Sequence, residues 1–201
     1  MKKIIITLFI FIYFNSFSQV ALKIINFRPT GELGMLMKPA ITGELFYKDF
    51  DEESKLIPRF GLGFIKCTPR LDTFLVQGLI VSQTTTVSPG YITYQKYNLF
   101  YLYGGVDYKI NIYKGFSIYP GADVNIGGTV VEYKSEYPTI SSNDYSGGSP
   151  YVGIRLRIGA EYEIKEGKAA VFIEATRNMN LIPREAFFAY NDYGIGFRYK
   201  F

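Results

Sequence analysis

The sequence has no histidine, no tryptophan and a single cysteine, Cys67. Without an imidazole, the catalytic triads and dyads built on a histidine base cannot be assembled. One thiol excludes a disulfide within the chain, and zinc sites of the usual Cys/His kind are excluded with it. Charge of one sign is also scarce: 22 Lys and Arg against 18 Asp and Glu leave a net +4. That is no basic footprint, so no nucleic-acid partner is expected. Beyond the first 19 residues no apolar run approaches the length of about 20 that a spanning helix needs. There is no Pro/Ser-rich linker and no internal repeat, so one domain is expected. What is abundant is 18 Tyr, 17 Phe and 20 Gly. Aromatics suit pleated surfaces and Gly suits turns and crowded walls, which points to β-structure.

Residues 1–18 have the layout of a cleaved signal peptide. Lys2 and Lys3 form a basic start, Ile4 to Phe14 an apolar run of 11, and Ser16-Phe17-Ser18 a small-x-small cleavage site. Gln19 follows rather than Cys, which excludes lipid attachment at that position. The expected organisation is a signal peptide over 1–18 and one β-domain over 19–201. The exported part then carries 20 basic and 18 acidic residues.

The rest of the chain alternates with period two, the signature of strands. From Tyr151 to Ile164, Val152, Ile154, Leu156, Ile158, Ala160 and Tyr162 share one face, with Gly153, Arg155, Arg157, Gly159, Glu161 and Glu163 on the other. Val171, Ile173 and Ala175 oppose Phe172, Glu174 and Thr176. Ile118, Ala122, Val124 and Ile126 oppose Ser117, Gly121, Asp123 and Asn125, and Leu102, Val106 and Tyr108 oppose Tyr103, Asp107 and Lys109. Phe60, Leu62 and Phe64 oppose Arg59, Gly61 and Gly63, and Ile41, Leu45 and Tyr47 face away from Glu44 and Lys48. These patterns give about eight strands, near 20–28, 33–50, 56–67, 95–111, 115–132, 151–164, 168–178 and 187–201, within the usual boundary error of about 2–4 residues. Residues 70–94 have the composition for additional strand.

Alternation by itself does not say which face meets solvent. A soluble barrel buries its apolar face, whereas a membrane barrel turns it outward and keeps the polar face inside. Here the polar face is rich in Gly and charges of both signs, which suits a narrow lumen. The connections alternate as well: 49–55, 111–115 and 164–168 are short, while 70–94, 133–150 and 179–186 are long. Short turns on one side and long loops on the other are the habit of membrane barrels.

The chain ends Tyr193-Gly194-Ile195-Gly196-Phe197-Arg198-Tyr199-Lys200-Phe201. Here it resembles the small bacterial outer-membrane β-barrel proteins, of the OmpX and OmpA membrane-domain type in the porin-like superfamily. Their last strand carries an assembly signal, polar-x-Gly-x-x-aromatic-x-aromatic. Gly196, Tyr199 and Phe201 match it, and Gly194 departs at the polar position. The Phe-rich leader ending Ser-Gln is similar to those of exported Bacteroidota proteins. The resemblance implies an all-β fold, a single antiparallel up-and-down transmembrane barrel in the cell outer membrane. It also implies outer-membrane lipid and the outer-membrane assembly machinery as partners.

On this alternation the lumen carries Glu44, Asp107, Asp123, Glu161, Glu163 and Glu174 against Lys48, Arg59, Lys109, Arg155, Arg157, Arg198 and Lys200. An unpaired charge in a closed lumen costs several kcal/mol, so a structural network of ion pairs is expected in place of a reactive pair. Tyr91, Tyr94, Tyr97, Tyr101, Tyr190 and Tyr193 near strand ends are candidates for an interfacial belt, since a Tyr hydroxyl can stay wet while its ring is buried. Asp49, Asp51, Glu52 and Glu53 lack the glycine and spacing of a calcium loop and form a charged turn. Cys67, beside a strand end, is expected to be an unmodified small residue. Ser141–Ser149 has the composition of a polar external loop. No catalytic residue, metal ligand or cofactor site is expected.

Three function classes remain. A structural or surface-interaction barrel would act through its external loops, or as a component of a larger envelope or secretion complex. A porin-like channel is the alternative, but about eight strands leave an interior filled by side chains, where open porins use about 16. A lipid-modifying outer-membrane enzyme comes third, because the family's enzymes rely on histidine and this chain has none.

Overall fold

The computed structural model describes residues 19–48, 54–71, 73–76, 90–137, 140–165, 168–182 and 189–200. Residues 1–18, expected as a signal peptide, residues 49–53, expected as a charged turn, and Phe201 of the expected C-terminal signal lie outside the described residues.

In the barrel strands, alternating apolar and polar or small residues give one lipid-type and one lumen-type face. The strands are β1 (Gln19–Thr30), β2 (Ala40–Lys48), β3 (Leu56–Cys67), β4 (Phe74–Val76), β5 (Gly90–Tyr108), β6 (Ile110–Tyr113), β7 (Phe116–Tyr137), β8 (Ile140–Lys165), β9 (Ala169–Ile182) and β10 (Ala189–Lys200). A short helix, α1 (Gly31–Leu36), follows β1. Antiparallel pairing runs β5-β3-β2-β1-β10-β9-β8-β7, and the β5–β7 pairing returns to the start. The first and last strands are in register from Gln19↔Lys200 to Thr30↔Ala189. The result is a closed eight-stranded antiparallel barrel. Among the described residues β4 pairs with the start of β5 and β6 with the start of β7, so Phe74–Val76 adds a strand beside the ring without enlarging it.

The outer wall is apolar. Leu22, Ile24, Phe60, Leu62, Phe64, Leu102, Ile126, Ile158, Ile173 and Ile195 are all exposed. The lumen holds the charges. That arrangement is the reverse of a soluble barrel and matches a bilayer environment.

Two regions differ from the sequence reading. The expected strand 33–50 is divided into α1 and β2. Gly31, in the left-handed region at φ 60°, turns the chain off β1, and Pro39 separates helix from strand. Leu33 and Met37, four residues apart, then point into the barrel mouth and are buried. Backbone bonds from Lys38 to Thr68 and from Arg70 to Leu36 tie this segment to the chain after β3. The second difference is 133–150, expected as a loop. It is a β-hairpin, with Tyr133↔Tyr145, Lys134↔Asp144 and Ser135↔Asn143 in register. Outside the bilayer both faces are wet, so the hydrophobic alternation that announces a strand is missing there. Backbone pairing and the stacked Tyr133 and Tyr145 rings, 4.7 Å apart, hold it instead.

Candidate functional site

The lumen is built from inward positions of all eight barrel strands, and its character changes along the axis. Nearest the termini, Arg198 donates to Glu161 at 2.9 Å and to the Gln19 side chain at 2.9 Å. Lys109 and Glu163 pair at 3.4 Å at the inner rim, where Lys200 is also half-buried. The next level holds Arg157 between Asp107 and Asp123, with its Nε 3.1 Å from Asp107 Oδ1. Lys48 pairs with Asp107 at 3.2 Å and lies 3.4 Å from the centre of the Tyr119 ring.

At the barrel centre Glu174 is bound by three elements. Lys23 reaches it at 3.0 Å, Arg59 forms a two-pronged pair with it, and Tyr119 donates to it at 3.1 Å. Glu44 is its counterpart. It takes Lys23 at 2.6 Å, Arg155 at 2.5 Å and the Tyr101 hydroxyl at 2.6 Å. The Arg59 guanidinium packs 3.6 Å over Phe46 and that of Arg155 4.0 Å over Tyr103. Desolvated cation–π contacts of this kind contribute about 2 kcal/mol each. Further outward, Asn178 donates to Asp192 at 2.9 Å, and Arg155 is 4.0 Å from Asp192. Above these charges the lumen becomes apolar, with Phe27, Leu33, Met37, Ile65, Cys67 and Leu99 packed together.

Among the described residues six acids and six bases are buried in the lumen. Ten come from the thirteen charges read from the sequence: Glu44, Lys48, Arg59, Asp107, Asp123, Arg155, Arg157, Glu161, Glu174 and Arg198. Lys109, Glu163 and Lys200 sit at the inner rim. The remaining two, Lys23 and Asp192, are additions made by the structure. Lys23 shares its face with Ala21, Ile25 and Phe27, apolar neighbours that disguise it as part of an apolar stripe. Asp192 is within reach of the pattern, because it continues the inward series Gly194, Gly196, Arg198.

Space for these long side chains comes from glycine. Gly61, Gly63, Gly127, Gly159 and Gly196 lie opposite Tyr103, Tyr101, Tyr151, Tyr119 and Phe172 on neighbouring strands. A Cβ at any of the five would fall within 3.0 Å of that ring. Each ring covers a bare stretch of backbone, a device that pins strand register. Gly194, the departure from the C-terminal assembly pattern, has the same explanation: a Cβ there would meet the Lys23 stem at 2.7 Å. Gly196 faces inward and Tyr199 outward.

Of the belt candidates, Tyr91 and Tyr193 are exposed, whereas Tyr101 and Tyr190 are buried in the lumen, and Tyr94 and Tyr97 pack against its apolar part. A register shift in β5 between Tyr94 and Lys96 alters the inward–outward sequence there. Cys67 is buried in the apolar section. Among the described residues no cluster of three or more His, Cys, Asp or Glu could hold a metal ion.

No family model matches the chain, and no curated protein matches it by sequence. Solved structures do match. Neisserial surface protein A aligns with a TM-score of 0.57 at 12% identity, over 91% of this chain and 96% of that one. A major outer membrane protein from Thermus thermophilus aligns at 0.54 and 13% identity, over 90% and 99%. Ail, the attachment invasion locus protein of Yersinia pestis, solved with the heparin analogue sucrose octasulfate, aligns at 0.51 and 10% identity, over 91% and 97%. With a ring closed by its first and last strands, an apolar outer wall and a lumen lined by buried ion pairs, the chain has the fold of the small eight-stranded outer-membrane β-barrel proteins.

Proposed function

We propose that this protein is a non-conducting outer-membrane barrel that serves a structural or surface-interaction role through the parts outside the bilayer. The observation that carries this reading is the unequal length of the strands. β8 pairs with β9 only from Val152 onward, yet it stays paired with β7 back to Ile140. β5, β7 and β8 therefore continue as a sheet past the ring, with β4 on the far side of β5. Among the described residues, 140–151 have a neighbour on one side only. This sheet carries tyrosines and exposed ion pairs, Lys96–Glu132 at 2.8 Å and Lys134–Glu136 at 2.7 Å. The hydrogen bond with Glu136 holds the Lys134 ammonium above its ordinary pKa.

A lumen occupied by paired side chains supports the same reading, because it leaves the outer surface as the place where function is exercised. A non-enzymatic role agrees with the absence of histidine. A photo-crosslinker placed at Asp144, in cells with intact outer membranes, tests the proposal. A discrete cross-linked envelope or surface partner is the expected result, together with its loss when residues 134–146 are replaced by a tight turn. No partner from this sheet, combined with solute flux through the barrel, would favour the porin-like alternative.

A further inference from the structure

On the outer wall, Arg28 of β1, Asn191 of β10 and Arg177 of β9 form one cross-strand row, with Arg28↔Asn191 and Asn191↔Arg177 in register. The row lies near the strand ends remote from Gln19 and Lys200. That is the side of the long connections, the external one in barrels of this kind. Arg177 interrupts an apolar outward series on β9, with Val171, Ile173 and Ala175 before it and Met179 and Leu181 after it. A cation in a lipid-facing row is costly, by an amount that depends on depth. It is retained where something neutralises it.

Among the described residues, the hydrogen-bond partners of Arg177 are neutral. One guanidinium nitrogen donates to Thr30 Oγ1 at 3.2 Å and to Asn191 Oδ1 at 2.9 Å, which fixes the group in place. Arg28 lies over the Tyr193 ring, 5.7 Å from its centre. The exposed or half-buried ion pairs among the described residues are Lys96–Glu132, Lys109–Glu163 and Lys134–Glu136, and they involve neither arginine. Two guanidinium groups with no carboxylate partner among the described residues are suited to a phosphate, which arginine binds through paired N–H donors.

Below the row the wall is hollowed. A depression of about 740 Å³ is lined by Ile24, Ile41, Ile158, Ile173, Tyr193 and Ile195. A second one, about 380 Å³, shares Ile158, Ala175 and Tyr193 with it and ends at Arg177 and Asn191. The two form one track, aliphatic along its length and cationic at its outer end. We propose that this track is a binding site for a phosphorylated lipid of the outer leaflet, with an acyl chain along the isoleucines and a phosphate held by Arg177 and Arg28. Charge complementarity selects an anionic headgroup, and the aliphatic track selects a phosphate that is attached to an acyl chain.

Native mass spectrometry of the folded barrel in detergent tests the site, with bis-phosphorylated lipid A as the probe and its dephosphorylated form and inorganic phosphate as comparators. One phosphorylated lipid A should be retained per barrel, and the dephosphorylated form about tenfold less. The double variant R28Q/R177Q should bring phosphorylated lipid A down to that lower level. K66Q, which removes an exposed cation of β3 outside the row, should leave retention unchanged. Heat-modifiable gel mobility verifies that each variant is folded; should the double variant fail to fold, R28Q alone, which disturbs only the contact with Tyr193, should lower retention about threefold. Equal retention of the two lipids, retention unaffected in the arginine variants, or displacement of the lipid by an equal concentration of inorganic phosphate would overturn the proposal.

Discussion

The inner and outer sections of the lumen are packed by different physics. In the inner and central sections Lys23, Arg59, Arg155 and Arg157 are held by Glu44, Glu174, Asp107 and Asp123, and the hydroxyls of Tyr101 and Tyr119 join the network by donating to the carboxylates. In the outer section α1 and the residue after it place Leu33 and Met37 among Phe27, Ile65, Cys67 and Leu99. Both sections rest on the same strands, so the difference comes from which side chains occupy the inward positions and from the helix that joins the outer section. The charged section is selective, because every member depends on particular partners. The apolar section depends on volume, and tolerates substitutions that keep it.

Removing a partner from the charged section should have the largest effect. Glu174→Ala deprives Lys23, Arg59 and Tyr119 of their common acceptor. Leaving buried cations uncompensated costs about 3–5 kcal/mol, visible as a lower urea midpoint for unfolding from lipid vesicles. Leu33→Ala in the outer section should cost less, about 2 kcal/mol, at the low end for a truncated core leucine because a helix of one and a half turns can settle inward. A loss for Leu33→Ala equal to or above that for Glu174→Ala would reverse the ranking of the two sections. Lys134→Gln, in the external sheet, sharpens the contrast from the other side. It removes an exposed pair and should leave the urea midpoint of the parent unchanged within experimental error.

How much of this can be read from the sequence follows the same division. Where a strand has lipid on one side and the lumen on the other, as in Tyr151–Ile164, each residue declares its face, and parity alone identifies Arg155, Arg157 and Glu161. Where that contrast is missing, the pattern fails. Ser141–Ser149 has a loop-like composition, and residues 144–149 are exposed or half-buried on both faces, although the backbone is paired with β7. Gly31–Met37 buries Leu33 and Met37 in the apolar cluster, and these residues serve a helix spacing that a search for alternation does not detect. Lys23 is hidden by apolar neighbours on its own face, and the lumen positions of Tyr101 and Tyr190 by a residue type equally at home in an interfacial belt. The row of Arg28, Asn191 and Arg177 is not legible at all, since these residues are far apart in sequence and meet only through the closing strand pair.

The central claim is that the side chains of the lumen leave no continuous water path, and single-channel recording in planar bilayers at neutral pH tests it most directly. The purified, folded protein should show negligible steady conductance. Replacing Arg155 and Arg157 together by alanine frees Glu44, Asp107 and Asp123 from their guanidinium partners. That variant should be less stable and admit brief, small openings. A large and stable conductance from the unmodified protein would contradict the closed lumen and make the porin-like channel the better description.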